Sequence, residues 1–268
     1  MIPRRYIEEW REFAPWPENG QVEQDLIIER TLVELFSDPF LNENLAFRGG
    51  TALHKLFLKP QARYSEDIDL VQIKPGPIKP ILVKIREKLS PFLGTKRKIE
   101  SSIHNNTATY RFETEIPPVI QMRLKIEINC REHFTVLGLQ KVPFEVKNGW
   151  FSGECMINTY HIEELLGTKL RALYQRRKGR DLFDLDIALS NLEINTENLI
   201  KCYKEYINFS DGVNPTSKMF LLNMEEKMQD DEFRNDIFTI LRPGVEYDND
   251  LAYENIRESI IYKNLKSY

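Results

Sequence analysis

Between residues 97 and 160 apolar and polar side chains alternate with a period of two, while on both flanks the apolar spacing is that of helices. A chain patterned this way places strands in its middle and helices before and after them. The strand candidates are RFETEI, RLKIEI, PFEVKN and ECMINTY, separated by turn residues. Helical spacing covers 4–14 and 21–37. In the second run Val22, Leu26, Val33 and Phe36 fall near one stripe, interrupted by Glu29 and widened by Leu32 and Leu35. It also covers 80–90, where Ile81, Leu82, Ile85 and Leu89 share a face and Pro80 is tolerated in the first turn. At His161 the helical pattern returns and runs to the chain end, so the expected domain change lies near residue 160, dividing 1–160 from 161–268.

Ahead of the alternating region lies FRGGTALHKLFLKPQARYSEDIDLV, residues 47–71. Leu45–Phe47 reads as a short strand entering Gly49-Gly50. Thr51–Leu58 reads as a helix, with Leu53, Leu56 and Phe57 apolar and Pro60 as its stop. Asp67–Ile73 reads as a strand ended by KPGPIKP, residues 74–80. In a strand, residues two apart share a face. Asp67 and Asp69 therefore project together while Ile68 and Leu70 face the core. Two carboxylates so close repel unless a cation lies between them, and Mg²⁺ is commonly held by one or two carboxylates plus substrate phosphates. An exposed strand with solvated acids has the same pattern. Gly49-Gly50 permits close backbone approach to an anion. Thr51 can cap the following helix and donate to a phosphate oxygen. An ordinary strand-to-helix turn with a threonine cap fits as well. No P-loop lysine follows the glycines and no GxGxxG is present.

Three further groups carry charge in telling places. In RLKIEIN, Arg123, Lys125, Glu127 and Asn129 share one face and Leu124, Ile126, Ile128 and Cys130 the other. Glu127 is a candidate third metal ligand or general base, or else the partner of Lys125. In HIEELLGTKLRALYQRRKGRDLFDL, residues 161–185, Lys169 interrupts the stripe of Leu166, Leu170 and Leu173. It either snorkels to the rim or meets an anion in a cleft. Arg171, Arg176, Arg177, Lys178 and Arg180 make the same segment strongly basic, suited to triphosphate or a nucleic-acid backbone, or to a solvated helix end. Asp181 and Asp184 open the next helix, with Asp181 as cap and Asp184 in its first turn.

Composition narrows the field. The net charge of −4 rules out a polycation, so any nucleic-acid contact needs a local basic patch. The acid-rich stretch 225–250 reads as a solvated surface. Cys130, Cys155 and Cys202 form no zinc spacing and no disulfide framework, and His54, His104, His133 and His161 are scattered. The N-terminus lacks a signal-type apolar core and no run approaches a membrane span, so a reduced, cytoplasmic setting is expected.

FRGGTAL, RYSEDIDL, KIEIN and LLGTKLRALYQRRKGRDLFDL resemble, in order, the motifs of the AbiEii/AbiGii toxin family, to which the MenT toxins are related. The likeness runs from about residue 21 to 190. It implies an α+β fold: a DNA polymerase β-like nucleotidyltransferase core, with a mixed sheet flanked by helices, followed by a mainly helical domain. It implies an Mg²⁺- or Mn²⁺-dependent nucleotidyltransferase that takes an NTP as substrate. Asp67, Asp69 and Glu127 would hold metal, and Lys169 and Asp184 would join them in catalysis. Gly49, Gly50, Thr51, Ser65, Lys169, Arg180 and Asp181 would contact nucleotide. Arg171, Arg176, Arg177 and Lys178 would contact nucleic acid. The implied acceptor is the 3′ end of tRNA, and the implied partner is a separately encoded AbiEi-like antitoxin. A protein or small-molecule acceptor, and a non-catalytic binding module, are the alternative readings.

Overall fold

The computed structural model describes residues 2–262, so the final positions of the region read as helical, 263–268, lie outside the described residues. The chain forms two compact units. One comprises residues 1–134 and 139–160, the other 135–138 and 161–268.

The first unit is a seven-stranded mixed sheet with helices against it. Its helices are α1 (Arg4–Trp10), α2 (Asn19–Phe36), α3 (Pro39–Asn44), the single turn α4 (Gly49–Ala52) and α5 (Lys79–Leu93). Its strands are β1 (Leu45–Arg48), β2 (Asp67–Gln72), β3 (Arg97–Ser101), β4 (Asn105–Glu113), β5 (Gln121–Asn129), β6 (Leu139–Lys147) and β7 (Ser152–Tyr160). Their order across the sheet is β3-β4-β5-β2-β1-β7-β6. β1 and β2 are antiparallel, while β2 with β5 and β1 with β7 are parallel. The hairpins β3-β4-β5 and β6-β7 thus attach to either side of the short central pair β1-β2.

The alternation in β5 does what the pattern predicts. Leu124, Ile126 and Ile128 are fully buried, each contributing about 1.5–3 kcal/mol, and the polar set faces outward. In α5, Ile81, Ile85, Leu89 and Leu93 form the buried stripe, with Pro80 in the first turn. The helix α2 packs on β5, β6 and β7. Glu29, which interrupts its apolar stripe, is not solvated. With Asp25 it grips the buried Lys55 ammonium at 2.7 and 3.0 Å, and the indoles of Trp10 and Trp16 donate to Asp25. Several boundaries shift from expectation, among them α1, which ends at Trp10 and not at residue 14. RFETEI overruns β4, which ends at Glu113, and the helix expected from Thr51 begins at Gly49 and passes into a π-helical segment, Leu53–Phe57.

The second unit is helical: α6 (Ile162–Gln175), α7 (Gly179–Asn191), α8 (Thr196–Asp211), α9 (Ser217–Met228), α10 (Asp231–Asn235) and α11 (Asn249–Ile256). α6 and α8 approach closely at Gly167, where a Cβ would lie 2.7 Å from that of Cys202. The segment 135–138 joins this unit through Glu164, whose buried carboxylate accepts from the Val136 and Leu137 amides at 2.8 and 2.9 Å. The Tyr206 hydroxyl donates to the same carboxylate. Asp181 is not the cap of α7: the helix begins two residues earlier, placing Asp181 inside its first turn. Among the described residues no helix is long and apolar enough to cross a membrane.

Candidate active site

Strand register gathers the charged groups of the first unit. Arg48 on β1 stands opposite Asp69 on β2, and Asp69 stands opposite Glu127 on β5. Lys125 stands opposite Asp67. Residues opposite in register project from the same face, so Arg48, Asp67, Asp69, Lys125 and Glu127 share one surface of the sheet. All five are half-buried.

At the end of β1 the chain turns through Gly49, with φ at +81°, in the left-handed region that favours glycine. A Cβ there would also overlap the Asp69 carboxylate. The glycine therefore permits both the turn and its contact with the acid. Gly50 follows as the second residue of α4. The buried Thr51 hydroxyl donates to the Asp67 carbonyl and lies 2.7 Å from the Ser65 hydroxyl. It fastens the glycine turn to the start of β2, and Ser65 shares that contact.

The charge on Asp67 is disfavoured. Burial pushes the Asp67 carboxyl up to about 6, and Glu66, Asp69 and Glu127 add to the effect while Lys125 opposes it. A site that penalises a carboxylate for being charged favours a cation beside it. The donor set of two carboxylates on one strand face suits Mg²⁺ or Mn²⁺, which complete their shells with phosphate oxygens and water. The expected third ligand is otherwise engaged: Glu127 is ion-paired with Lys125. Among the described residues no group of three His, Cys, Asp or Glu side chains is arranged for a metal. The pair Asp67–Asp69 is thus the candidate centre, and Glu127 belongs to its electrostatic surroundings.

In the second unit charge is balanced. The Lys169 ammonium sits 3.1 Å from Asp181 and 2.9 Å from Asp184, both fully buried. Arg176 forks onto Asp181 at 2.7 and 2.8 Å. Burial works against the Asp181 carboxylate, but Lys169 and Arg176 outweigh it and hold its pKa below the ordinary value. The remaining basic residues are also partnered. Arg177 pairs with Glu226 and Asp230, and Lys178 with Glu232 and Asp236. Arg180 reaches Asp236 at 4.0 Å. Arg171 lies against the Tyr206 ring and donates to its carbonyl. In the stretch from Glu226 to Asp236 the acidic residues are exposed or partly exposed, as expected, and the stretch also pairs with the basic segment, so that segment is not a bare cationic surface.

One charged neighbour escaped the sequence patterns: Glu132, buried and ion-paired to Arg48. Its 84-residue separation from Arg48 leaves no local signal.

The fold is shared with the MenT4 nucleotidyltransferase toxin of Mycobacterium tuberculosis H37Rv, at a TM-score of 0.67 and 15% identity, covering 98% of this chain and 90% of that one. A crystal structure of an antigenic nucleotidyltransferase-like protein from Paracoccidioides brasiliensis aligns with 72% of this chain and 91% of its own, at a TM-score of 0.40 and 15% identity. No curated protein matches the chain. The sequence matches the family described as nucleotidyl transferase AbiEii toxin, type IV toxin–antitoxin system, over residues 30–259, and the chain belongs to that family of toxin nucleotidyltransferases.

Proposed function

We propose that this toxin transfers a nucleoside monophosphate from an NTP to the 3′ acceptor end of tRNA. The observation that carries the reading is the pair Asp67 and Asp69 on one face of β2, set against the Gly49 turn, with the Asp67 carboxyl pushed up to about 6 by burial and by the neighbouring acids. Asp67 and Asp69 would hold a divalent ion, Mg²⁺ or Mn²⁺, which when bound neutralises triphosphate charge and favours the attacking hydroxylate. The Gly49-Gly50 turn, free of side chains, lets backbone approach the phosphate oxygens, and Thr51 and Ser65 keep that turn fixed to β2. The acceptor hydroxyl attacks the α-phosphorus in line. The new O–P bond replaces the bond to the β-phosphate oxygen, pyrophosphate leaves, and the hydroxyl proton passes to solvent.

Lys169 enters the proposal as a cation held in place by Asp181 and Asp184. With its basic neighbours paired, RNA recognition by Arg171, Arg176, Arg177 and Lys178 would involve exchange of these ion pairs for phosphates. Type IV family membership implies an antitoxin partner, which we take to be a separately encoded AbiEi-like protein.

The test is incubation with each α-labelled NTP, Mg²⁺ and either total tRNA or a protein extract. Label on tRNA is expected. Label on protein would redirect the acceptor, and no label on any substrate with any NTP would overturn transferase activity.

A further inference from the structure

Arg48 and Glu132 stand beside the carboxylate pair, and their geometry is that of a built element. After β5, the Asn129 side chain accepts from the amides of Arg131 and Glu132 at 3.0 and 2.8 Å. This turn sends the Glu132 side chain inward, where it is 7% exposed and meets Arg48, itself 18% exposed. A buried ion pair is a weak route to stability, because desolvation offsets much of the attraction. Its position is more informative. Arg48 immediately precedes the Gly49 turn and stands in register with Asp69. Burial works to lower the Arg48 pKa, yet Glu132, Tyr160 and Asp69 together hold it above its ordinary value. Arg48 thus lies on the same face of the sheet as Asp69 and in register with it, and its buried ion pair with Glu132 holds the guanidinium there.

We propose that Arg48 and Glu132 form a positioning pair for the candidate metal carboxylates: Glu132 restrains Arg48 so that its guanidinium orders Asp69 without displacing the cation. This rests on the reading of Asp67 and Asp69 as a cation site. Opposed by Glu132, Arg48 adds little net charge to the site. Released from Glu132, it becomes a rival cation. Removed, it leaves the Glu132 charge to attract the metal.

The two single variants should consequently move cation affinity in opposite directions. Mn²⁺ binding to the full-length protein, without nucleotide, is measured by calorimetry and by electron paramagnetic resonance. Glu132→Gln is expected to weaken Mn²⁺ binding about tenfold, and Arg48→Met to tighten it about two- to threefold. The double variant, which leaves no unpaired charge, should return to within about twofold of the starting protein. Arg48→Lys keeps the charge but loses the planar fork, so it should lower kcat with little change in the KM for NTP. Single variants that shift affinity in the same direction, or neither by as much as about twofold, would reduce the pair to a structural contact. Should Arg48→Met fail to fold by circular dichroism, Glu132→Gln and the double variant decide. Restored affinity in the double variant supports the proposal, and equal weakness in both overturns it. Failure of the cation site itself looks different: the unmutated protein would bind no Mn²⁺, or Asp67→Asn and Asp69→Asn would leave binding unchanged.

Discussion

The two units each concentrate charge, and they handle it in opposite ways. Around β2, Asp67 lies half-buried among Glu66, Asp69 and Glu127, and the cation that opposes them, Lys125, is tied to Glu127. Around α6 and α7, Lys169 and Arg176 meet Asp181 and Asp184, two cations for two anions. The titration directions record the difference. The Asp67 carboxyl is pushed up, while that of Asp181 is held down. Imbalance at a half-buried site calls for a ligand from outside the chain. Balance at a fully buried one fixes architecture, and any ligand must then displace a partner already there.

The contrast breaks most readily at the β2 site. Asp67→Asn and Asp69→Asn should each reduce nucleotidyl transfer by roughly 10³-fold. Asp67→Asn also removes repulsion, so it should not lower the metal-free melting temperature. Transfer rates and thermal melts on the same preparations check both halves. An Asp67→Asn protein that melts earlier and loses activity in proportion to unfolded protein would contradict the assignment of a disfavoured charge at Asp67.

The balanced cluster should respond in the reverse manner. Lys169→Met leaves two buried carboxylates without their shared cation, and should cost about 3–5 kcal/mol of stability in urea titrations. Adding Asp184→Asn should recover part of that loss, because the remaining Asp181 keeps Arg176. A loss in activity with unchanged stability would instead make Lys169 a residue that works on substrate and contributes little to packing.

Which parts of this contrast the sequence could reveal follows from the range of each interaction. The facing of Asp67 with Asp69 is a matter of strand period, and so is the burial of Leu124, Ile126 and Ile128 in β5. Both are local and were readable. The stripe of Leu166, Leu170 and Leu173 was equally plain, and it exposed Lys169 as an intruder. Charge pairing is not local. Lys55 meets Asp25 across 30 residues, Arg177 meets Asp230 across 53, and Arg48 meets Glu132 across 84. A basic run and an acidic run look like two solvated surfaces until the fold sets them face to face. The contact made by Thr51 was hidden for a related reason. Its hydroxyl suits a phosphate in isolation, but the returning chain brings the Asp67 carbonyl within reach first.

pH sharpens the comparison from the side of Asp67. Its folded pKa of about 6 lies above the unfolded value near 3.9. Stability from this group is therefore fully present below about pH 4, declines as pH rises through 6, and is level above that. After allowance for partial solvation the change should be on the order of 1–2 kcal/mol. Mn²⁺ needs the ionised form, so the thermal shift it produces should be present at pH 7.5 and largely gone at pH 5. Asp67→Asn should remove this pH dependence. A metal-induced shift that persists unchanged at pH 5 would place the bound ion elsewhere.

The smallest expected effect lies at the exposed rim of the second unit, and it separates compensated from merely crowded charge. Arg177 and its partner Glu226 are both more than half exposed, so the pair contributes within about 1 kcal/mol. Glu226→Gln with Asp230→Asn should leave urea stability nearly unchanged. The same change frees Arg177 from both acids that hold it. If these acids mask a phosphate-binding surface, the double variant should bind tRNA more tightly at low salt, by less than about tenfold, and the gain should vanish as ionic strength rises. Equal tRNA binding before and after the substitution would mean that the basic run serves the second unit alone, and that the acceptor is recognised by other residues.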